Sequence, residues 1–189
     1  MQDRRSQPVS QAAFDLQSAA LELPFAQPPR VLDLGSGCGI VGIMLALQRP
    51  DWQVEGLEIQ PGLHELALSN ASLCGVSICF RQSDLRGFTS SQPYDLILAN
   101  PPWQKSGSGR LSPHQSRNLS RFELLCTLSD VLGCLNRNLT PQGTALLIYP
   151  KCRLADIRAA VTKTLLDIIS LFPASGSQEH VICRLRLKG

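Results

Sequence analysis

Histidine is scarce in this chain of 189 residues: His64, His114 and His180 are the three copies, and no serine–histidine–acid or cysteine–histidine triad is visible around them. A hydrolase working through an activated nucleophile has no support. The seven cysteines form no C-x-x-C pair and are odd in number, so neither a zinc site nor a disulfide framework is suggested. They read as reduced, small apolar fillers of a core, and no metal is expected. Long apolar runs are missing too. The longest, Gly39 to Leu47, is far too short to span a bilayer. Met1 to Gln11 is polar, with two arginines and no apolar signal-peptide core, so a cytoplasmic protein is expected. Charged residues make up 17% of the chain against 43% hydrophobic, which excludes a disordered polyelectrolyte, and the length suits one domain with one core. One absence is local. Asn100 through Phe122 holds no Asp or Glu, yet Lys105, Arg110, Arg117 and Arg121 all fall in that stretch. The net charge of +3 argues neither for nor against a polyanionic partner.

What is present alternates in period. Residues 13 to 23 have helical spacing, Arg30 to Leu34 reads as a buried strand, and Gly39 to Gln48 as an apolar helix stopped near Pro50. Gln53 to Ile59 is a second strand, and Pro61 opens a helix through Leu73. Val76 to Arg81 and Tyr94 to Ala99 read as a third and fourth strand. Ser120-Arg121-Phe122-Glu123 has capping-box spacing for a helix to about Leu139. Thr140 to Gly143 reads as a turn, Thr144 to Tyr149 as a fifth strand and Arg153 to about Leu166 as a helix. Ile168 to Phe172 and His180 to Leu187 complete seven strands, the last alternating between apolar and basic residues. Strands alternating with helices imply an α/β, Rossmann-like doubly wound, mostly parallel sheet with helices on both faces.

The first motif is Asp33-Leu34-Gly35-Ser36-Gly37-Cys38-Gly39, between a strand and a helix. Its glycines let backbone approach a ligand that any Cβ would push away. Gly37, Gly39 and Gly42 also satisfy the dinucleotide fingerprint, so NAD must be weighed. Asp33 tips the balance, because a carboxylate there suits the ammonium of an amino acid moiety and repels pyrophosphate. Glu58 ends the second strand nineteen residues after Gly39, where a carboxylate can accept both hydroxyls of a ribose. Alone it reads as an ordinary exposed acid at a strand end; behind a glycine turn the binding role is favoured. Asp84 can accept from an adenine amino group or simply form a turn.

The strongest motif is Asn100-Pro101-Pro102-Trp103, after the apolar run Leu96 to Ala99. Two prolines stiffen the loop and remove two donors, leaving carbonyls directed at a ligand. The Asn100 side-chain oxygen and the Pro101 carbonyl can each accept from an NH2 group, and Trp103 offers a stacking face for a planar target. An electrophilic methyl on a sulfonium needs no strong base, so proximity and electrostatics can carry most of the rate. Basic residues immediately after such a motif suit phosphate contacts, although a solvated loop is the ordinary reading of Lys105, Arg110, Arg117 and Arg121. His114 reads as a surface residue.

Together, VLDLGSGCGIVG (Val31 to Gly42), Glu58, Asp84 and NPPW resemble class I S-adenosylmethionine methyltransferases of the amino-group type. Asn100 to Pro150 is similar to the bacterial tRNA (adenine-N6)-methyltransferases that modify the adenine beside the anticodon of a valine tRNA. The resemblance covers Val31 to Gly189, with looser similarity through Val9 to Leu23. It implies a seven-stranded sheet with an antiparallel last strand, S-adenosylmethionine as methyl donor and tRNA as partner. Carried over, Asp33, Gly35 and Gly37 would line the methionine portion of the cofactor, Glu58 would hold its ribose and Asp84 its adenine. Ser36, Gly39, Ile59 and Leu85 are further cofactor-binding candidates. Asn100, Pro101, Pro102 and Trp103 would form the target site, with Asn100 also near the cofactor. Trp103 stands where Tyr is commoner, keeping the stacking face and losing a hydroxyl. Residues 1–29 read as a helical segment shortened relative to the family, and 30–189 as the methyltransferase domain. A protein glutamine, a DNA adenine and an rRNA guanine remain alternative targets for the same motif, as does a non-catalytic cofactor-binding role.

Overall fold

A computed structural model of the chain describes residues 11–101, 126–174 and 177–189. Seven strands form one sheet in the order β3-β2-β1-β4-β5-β7-β6: β1 is Arg30–Leu34, β2 Gln53–Glu58, β3 Cys79–Gln82, β4 Tyr94–Ala99, β5 Leu139–Pro150, β6 Leu166–Ala174 and β7 Ser177–Leu187. The first five neighbours pair in parallel, while β7 lies antiparallel between β5 and β6. The expected doubly wound, mostly parallel sheet with an antiparallel last strand is what the chain builds. Five α-helices accompany it among the described residues: α1 Gln11–Leu21, α2 Ile40–Gln48, α3 Pro61–Leu73, α4 Leu128–Asn138 and α5 Leu154–Val161.

The strands β1, β2 and β4 are buried on both faces, hence their near-continuous apolar runs. On one face Leu32, Leu34, Ile97, Leu147 and Cys183 pack against α4 and α5. On the other, Val31, Val54, Leu96, Leu98, Leu146 and Ile182 pack against α1 and α2. Small side chains let α1 sit close to the sheet, with Ala12, Ala13, Ala19 and Ala20 buried around Leu16. Among the described residues, no helix is long and apolar enough to cross a membrane.

Several boundaries differ from the sequence reading, each for a local reason. The helix expected over 13 to 23 runs over Gln11–Leu21. The third strand begins at Cys79 rather than Val76, because Val76 belongs to the end of α3. Its N–H donates to the Ala71 carbonyl and that of Gly75, in the left-handed region at φ 68°, donates to Ser72, the paired bonds of a Schellman cap. Of the helix expected from Ser120 to about Leu139, the described part is α4, Leu128–Asn138, where Thr127 and Asp130 supply a capping box. The Thr127 hydroxyl accepts from the Asp130 N–H at 3.2 Å, and the Asp130 carboxylate accepts from the Thr127 N–H at 2.8 Å. Ser120 to Glu123 lies outside the described residues.

Thr140 to Gly143 does not separate helix from strand, since β5 starts at Leu139. The turn residues are absorbed as a register break: Leu139 pairs with Tyr94 and Thr144 with Leu96. Gly143 is required there, because a Cβ would stand 2.9 Å from the Tyr94 carbonyl oxygen. The helix expected over Arg153 to Leu166 is a 3-10 turn (Lys151–Arg153) followed by α5, which ends at Val161. Hydroxyls of Thr162 and Thr164 donate back to the carbonyls of Ala159 and Val161, and Leu166 is already paired in the sheet opposite Leu187. That early stop lets β6 extend to Leu166–Ala174, and β7 likewise begins before His180.

Gly56, inside β2, marks a close approach: a Cβ there would overlap the Phe80 ring. Gly56→Ala is expected to lower the unfolding free energy by about 1–3 kcal/mol, the scale of core overpacking. Gly87→Ala, where nothing lies within 4 Å of the added Cβ, is expected to change it by less than about 0.5 kcal/mol. Urea denaturation of both variants measures the difference, and equal losses would show that Phe80 yields freely.

Candidate functional site

In a doubly wound sheet the ligand crevice opens at the carboxyl ends of the strands, where the order reverses. Here that point lies between β1 and β4: from β1 the chain steps outward to β2 and β3, and β4 returns to its other side. The carboxyl ends carry Leu34-Gly35 on β1, Glu58-Ile59 on β2 and Asn100 just past β4. Leu34 is in register with Ala99, which sets Asn100 beside Gly35. The topology thus brings the glycine loop, Glu58 and Asn100 to one crevice, as their motifs require. Pro101 is buried at the same edge and Asn100 half-buried. Pro102, Trp103, Lys105, Arg110, Arg117 and Arg121 lie outside the described residues.

The glycine loop is folded inward. Gly35, Gly37 and Gly39 have φ of 73°, 55° and 82°, the left-handed region in which glycine carries no steric cost. Their alternation curls the backbone so that three successive N–H groups donate to the end of β2. Gly35 and Ser36 donate to the Leu57 carbonyl at 2.8 and 2.9 Å, and Gly37 donates to the Glu58 carboxylate at 2.9 Å. The Gly39 N–H closes the turn on the Ser36 carbonyl at 2.8 Å. A pyrophosphate site needs loop N–H groups aimed at the ligand. These are spent inside the protein. Side chains added at Gly35 or Gly37 would meet no atom of the described residues within 4 Å, so toward these residues the loop's outer surface is open backbone.

Beneath this loop lie two carboxylates. Asp33 is 3% exposed, and its Oδ2 accepts from the Gly42 N–H at 3.1 Å, tying β1 to the first turn of α2. Burial raises its pKa to about 7, the Gly42 bond lowers it in part, and the charge of Glu58 raises it further. Glu58 is 5% exposed and accepts from the N–H groups of Gln60 and Gly37. Burial pushes its pKa up, while those backbone bonds pull it down. Among the described residues no cation pairs with either group. A buried pair of acids without a counter-charge is costly, and a ligand bearing positive charge relieves that cost. The donor set therefore fits a cationic amino acid moiety and disfavours an anionic dinucleotide.

Asp84 stands apart from this arrangement. It is partly exposed, its Oδ1 accepts from the Arg86 N–H and its Oδ2 from the Arg86 guanidinium, each at 2.9 Å. That pairing holds its pKa below the ordinary carboxylate range. In this conformation Asp84 forms a turn. The Leu85 side chain packs on the core, and the Leu85 carbonyl accepts from Arg137 of α4 at 2.9 Å, which fixes the loop after β3.

Two supporting residues escaped the sequence reading. Phe80 of β3 lies over Gly56, in the register row Asp33–Gly56–Phe80, and reaches Gly39, where a Cβ would come 2.8 Å from its Cζ. Asn70 of α3 donates to the Cys38 carbonyl. An isolated glycine inside an apolar strand was the available signal for the first. None existed for the second.

Known proteins share the sequence pattern and the fold of this chain. The profile of the methyltransferase small domain matches residues 8–115. A tRNA1(Val) (adenine(37)-N6)-methyltransferase of Porphyromonas gingivalis is 35% identical over 138 residues, 69% of this chain and 53% of that protein. The enzyme of the same name from Yersinia pseudotuberculosis is 29% identical over 133 residues, 68% of this chain and 52% of that protein. The chain spans about half the length of the curated relatives it matches. Among solved structures, a ribosomal protein L11 methylase from Lactobacillus delbrueckii superposes with TM-score 0.67 at 19% identity, over 95% of this chain and 78% of that one. A Pyrococcus abyssi tRNA (uracil-54, C5)-methyltransferase, solved with S-adenosyl-L-homocysteine, gives 0.59 at 21% identity over 92% of this chain and 38% of that one. The fold is that of the Rossmann-like methyltransferases. The chain belongs to the methyltransferase small domain family.

The raised Asp33 pKa sets a sign for stability. Between about pH 4 and 7 the folded state holds a proton at Asp33 that the unfolded chain, at an ordinary value of 3.8, releases. This carboxyl's contribution to stability is therefore full at low pH and is lost as pH rises through about 7. Asp33→Asn is expected to remove that slope and to make the ligand-free protein more stable at pH 8. Urea denaturation across pH 5 to 8 tests it, and parallel wild-type and variant curves would contradict the buried-acid assignment.

Proposed function

We propose that this chain transfers a methyl group from S-adenosylmethionine to an exocyclic amino nitrogen, and that the target is N6 of an adenine in tRNA, beside the anticodon of a valine tRNA. The observation that carries the reading is the inward-folded glycine loop over two buried acids, with Asn100 beside it. The names of the relatives support the target. S-adenosylmethionine, when bound, supplies a sulfonium-activated methyl electrophile. Asp33 acts on the methionine ammonium through its buried charge, Glu58 accepts from the ribose hydroxyls while bracing Gly37, and Gly35, Ser36, Gly37 and Gly39 give the backbone floor. Ile59, Asp84 and Leu85 are the remaining cofactor contacts, for which Asp84 must exchange part of its Arg86 pairing for the adenine amino group.

At the target, the Asn100 side-chain oxygen and the Pro101 carbonyl accept from the amino group, draw it toward tetrahedral geometry and expose its lone pair. Pro102 stiffens the loop, and Trp103 stacks on the base. Lys105, Arg110, Arg117 and Arg121 contact phosphates. Residues 30–189 make up the methyltransferase domain, 1–29 a helical lead-in, and the work is cytoplasmic.

The direct test is transfer from labelled S-adenosylmethionine to unmodified bulk tRNA, followed by nucleoside analysis, with N6-methyladenosine the expected product. Label in protein glutamine or in another nucleoside would overturn the target. S-adenosylhomocysteine is expected to bind more tightly than NAD, and the reverse order would overturn the cofactor. Asn100→Ala should reduce transfer about 10²-fold, the scale of losing one preorganised hydrogen-bonding group at a reacting centre, while cofactor affinity stays near wild type. Glu58→Ala should do the reverse and raise the cofactor Kd tenfold or more, roughly the loss of one charge-assisted bond. Neutralising Lys105, Arg110, Arg117 and Arg121 together should flatten the salt dependence of tRNA binding, by about 0.7–0.9 in log–log slope for each phosphate left without its cation.

A further inference from the structure

The glycine loop is held on its two sides by different means. Its N–H groups at Gly35, Ser36 and Gly37 are tied to β2. Past Gly37 the chain makes a third left-handed step at Gly39, and the peptide between Cys38 and Gly39 follows one glycine and contains another. Glycine occupies both signs of φ at little cost, so a peptide in this setting turns over easily unless something holds it. Turning it over would reverse the Cys38 carbonyl and the Gly39 N–H together, breaking the 2.8 Å bond from Gly39 to the Ser36 carbonyl that closes the turn.

One side chain holds that carbonyl. Asn70 of α3 donates from Nδ2 to the Cys38 oxygen at 3.0 Å, across 32 residues of sequence. Asn70 is 8% exposed, so its amide faces little competition from water. The helix that carries it is pressed against the same turn: a Cβ at Gly39 would lie 3.1 Å from the Ala67 Cβ and 2.8 Å from Phe80. Ala67, Ala71, Phe80 and Ile43 form a small apolar cluster that fixes α3 against α2 and β3. The position of Asn70 is thus set by packing, and the Cys38–Gly39 peptide is held at its carbonyl by Asn70 and at its N–H by the Ser36 carbonyl.

We propose that Asn70 is a positioning residue for the cofactor loop: it never touches the donor, and it keeps the Cys38–Gly39 peptide in the orientation that leaves open backbone toward the ligand. The proposal rests on S-adenosylmethionine being the cofactor of this crevice. Loss of the bond lets the loop sample the flipped peptide, and affinity falls by the fraction of molecules in the wrong state.

Calorimetric titration of S-adenosylhomocysteine into wild-type protein, Asn70→Leu and Asn70→Asp tests it. Asn70→Leu keeps the branched heavy-atom shape and loses the donor; a three- to tenfold rise in Kd is expected, about the worth of one hydrogen bond. The kcat at saturating donor and the KM for tRNA should stay within about twofold of wild type. Asn70→Asp at pH 7.5 sets a carboxylate oxygen against the Cys38 oxygen and should raise Kd at least as much. Lowering the pH until that carboxyl is protonated restores a donor and should bring the variant-to-wild-type Kd ratio back toward one. Asp33, Glu58, His64 and Glu65 are common to both proteins, so their own protonation cancels in the ratio. Wild-type Kd in both variants, or a lowered Tm without a change in Kd, would reduce Asn70 to a packing residue and overturn the proposal. Failure of the wild-type protein itself to bind would overturn the cofactor assignment instead.

Discussion

Burying two acids in one crevice, with no cation paired to either among the described residues, is the constraint on which the site depends. Asp33 and Glu58 stand at the ends of adjacent strands, both nearly inaccessible to water. The protein keeps them by surrounding them with backbone N–H donors from Gly42, Gly37 and Gln60. Those donors come from the loop and the helix start that follow β1 and from the start of α3, so the path of the chain around the site is dictated by the need to feed hydrogen bonds to the carboxylates. The glycines follow from this. A loop that turns its N–H groups inward must take left-handed backbone at close intervals, which Gly35, Gly37 and Gly39 permit. Selectivity comes from the same source: negative charge below and spent donors above make the crevice hostile to phosphate and hospitable to positive charge.

Support for the loop comes from the neighbouring layer. Phe80 fills the space that side chains at Gly56 and Gly39 would take, and α3 closes over it. On the opposite face of the sheet, α4 and α5 bury the other side of the central strands, and Arg137 of α4 reaches over to hold the carbonyls of Leu85 and Arg86. The two layers thus brace different edges of one crevice, the first through packing and the second through hydrogen bonds.

The central strands were legible in the sequence because burial on both faces leaves an unbroken apolar signature. Arg30 to Leu34 and Tyr94 to Ala99 have the expected bounds, and Pro61 marked the start of α3. Errors gather at the margins, where short-range signals compete. Val76 looks like a strand residue and is a helix cap; Thr140-Pro141-Gln142-Gly143 looks like a turn and is swallowed by a long strand. Of the site, the residues whose chemistry lies in their own side chain or backbone freedom could be read, among them Asp33, Glu58, the loop glycines and Asn100. The inward direction of the loop's N–H groups, the Arg86 pairing of Asp84 and the packing of Phe80 and Asn70 depend on strand register and helix placement, which no spacing encodes.

The place of β7 bears on how the sheet comes together. Because β7 is inserted between β5 and β6, β6 is joined to the sheet, among the described residues, through β7 alone. As the chain emerges during synthesis, β1 to β5 can assemble into a parallel sheet on their own, but β5 then ends in an open edge and β6 has nowhere to dock. The wedge follows β6 in the chain, seals that edge and recruits β6 in one step. Until it does, the nascent protein presents the bare strand ladder that invites pairing with other chains, so β7 also guards that edge against aggregation.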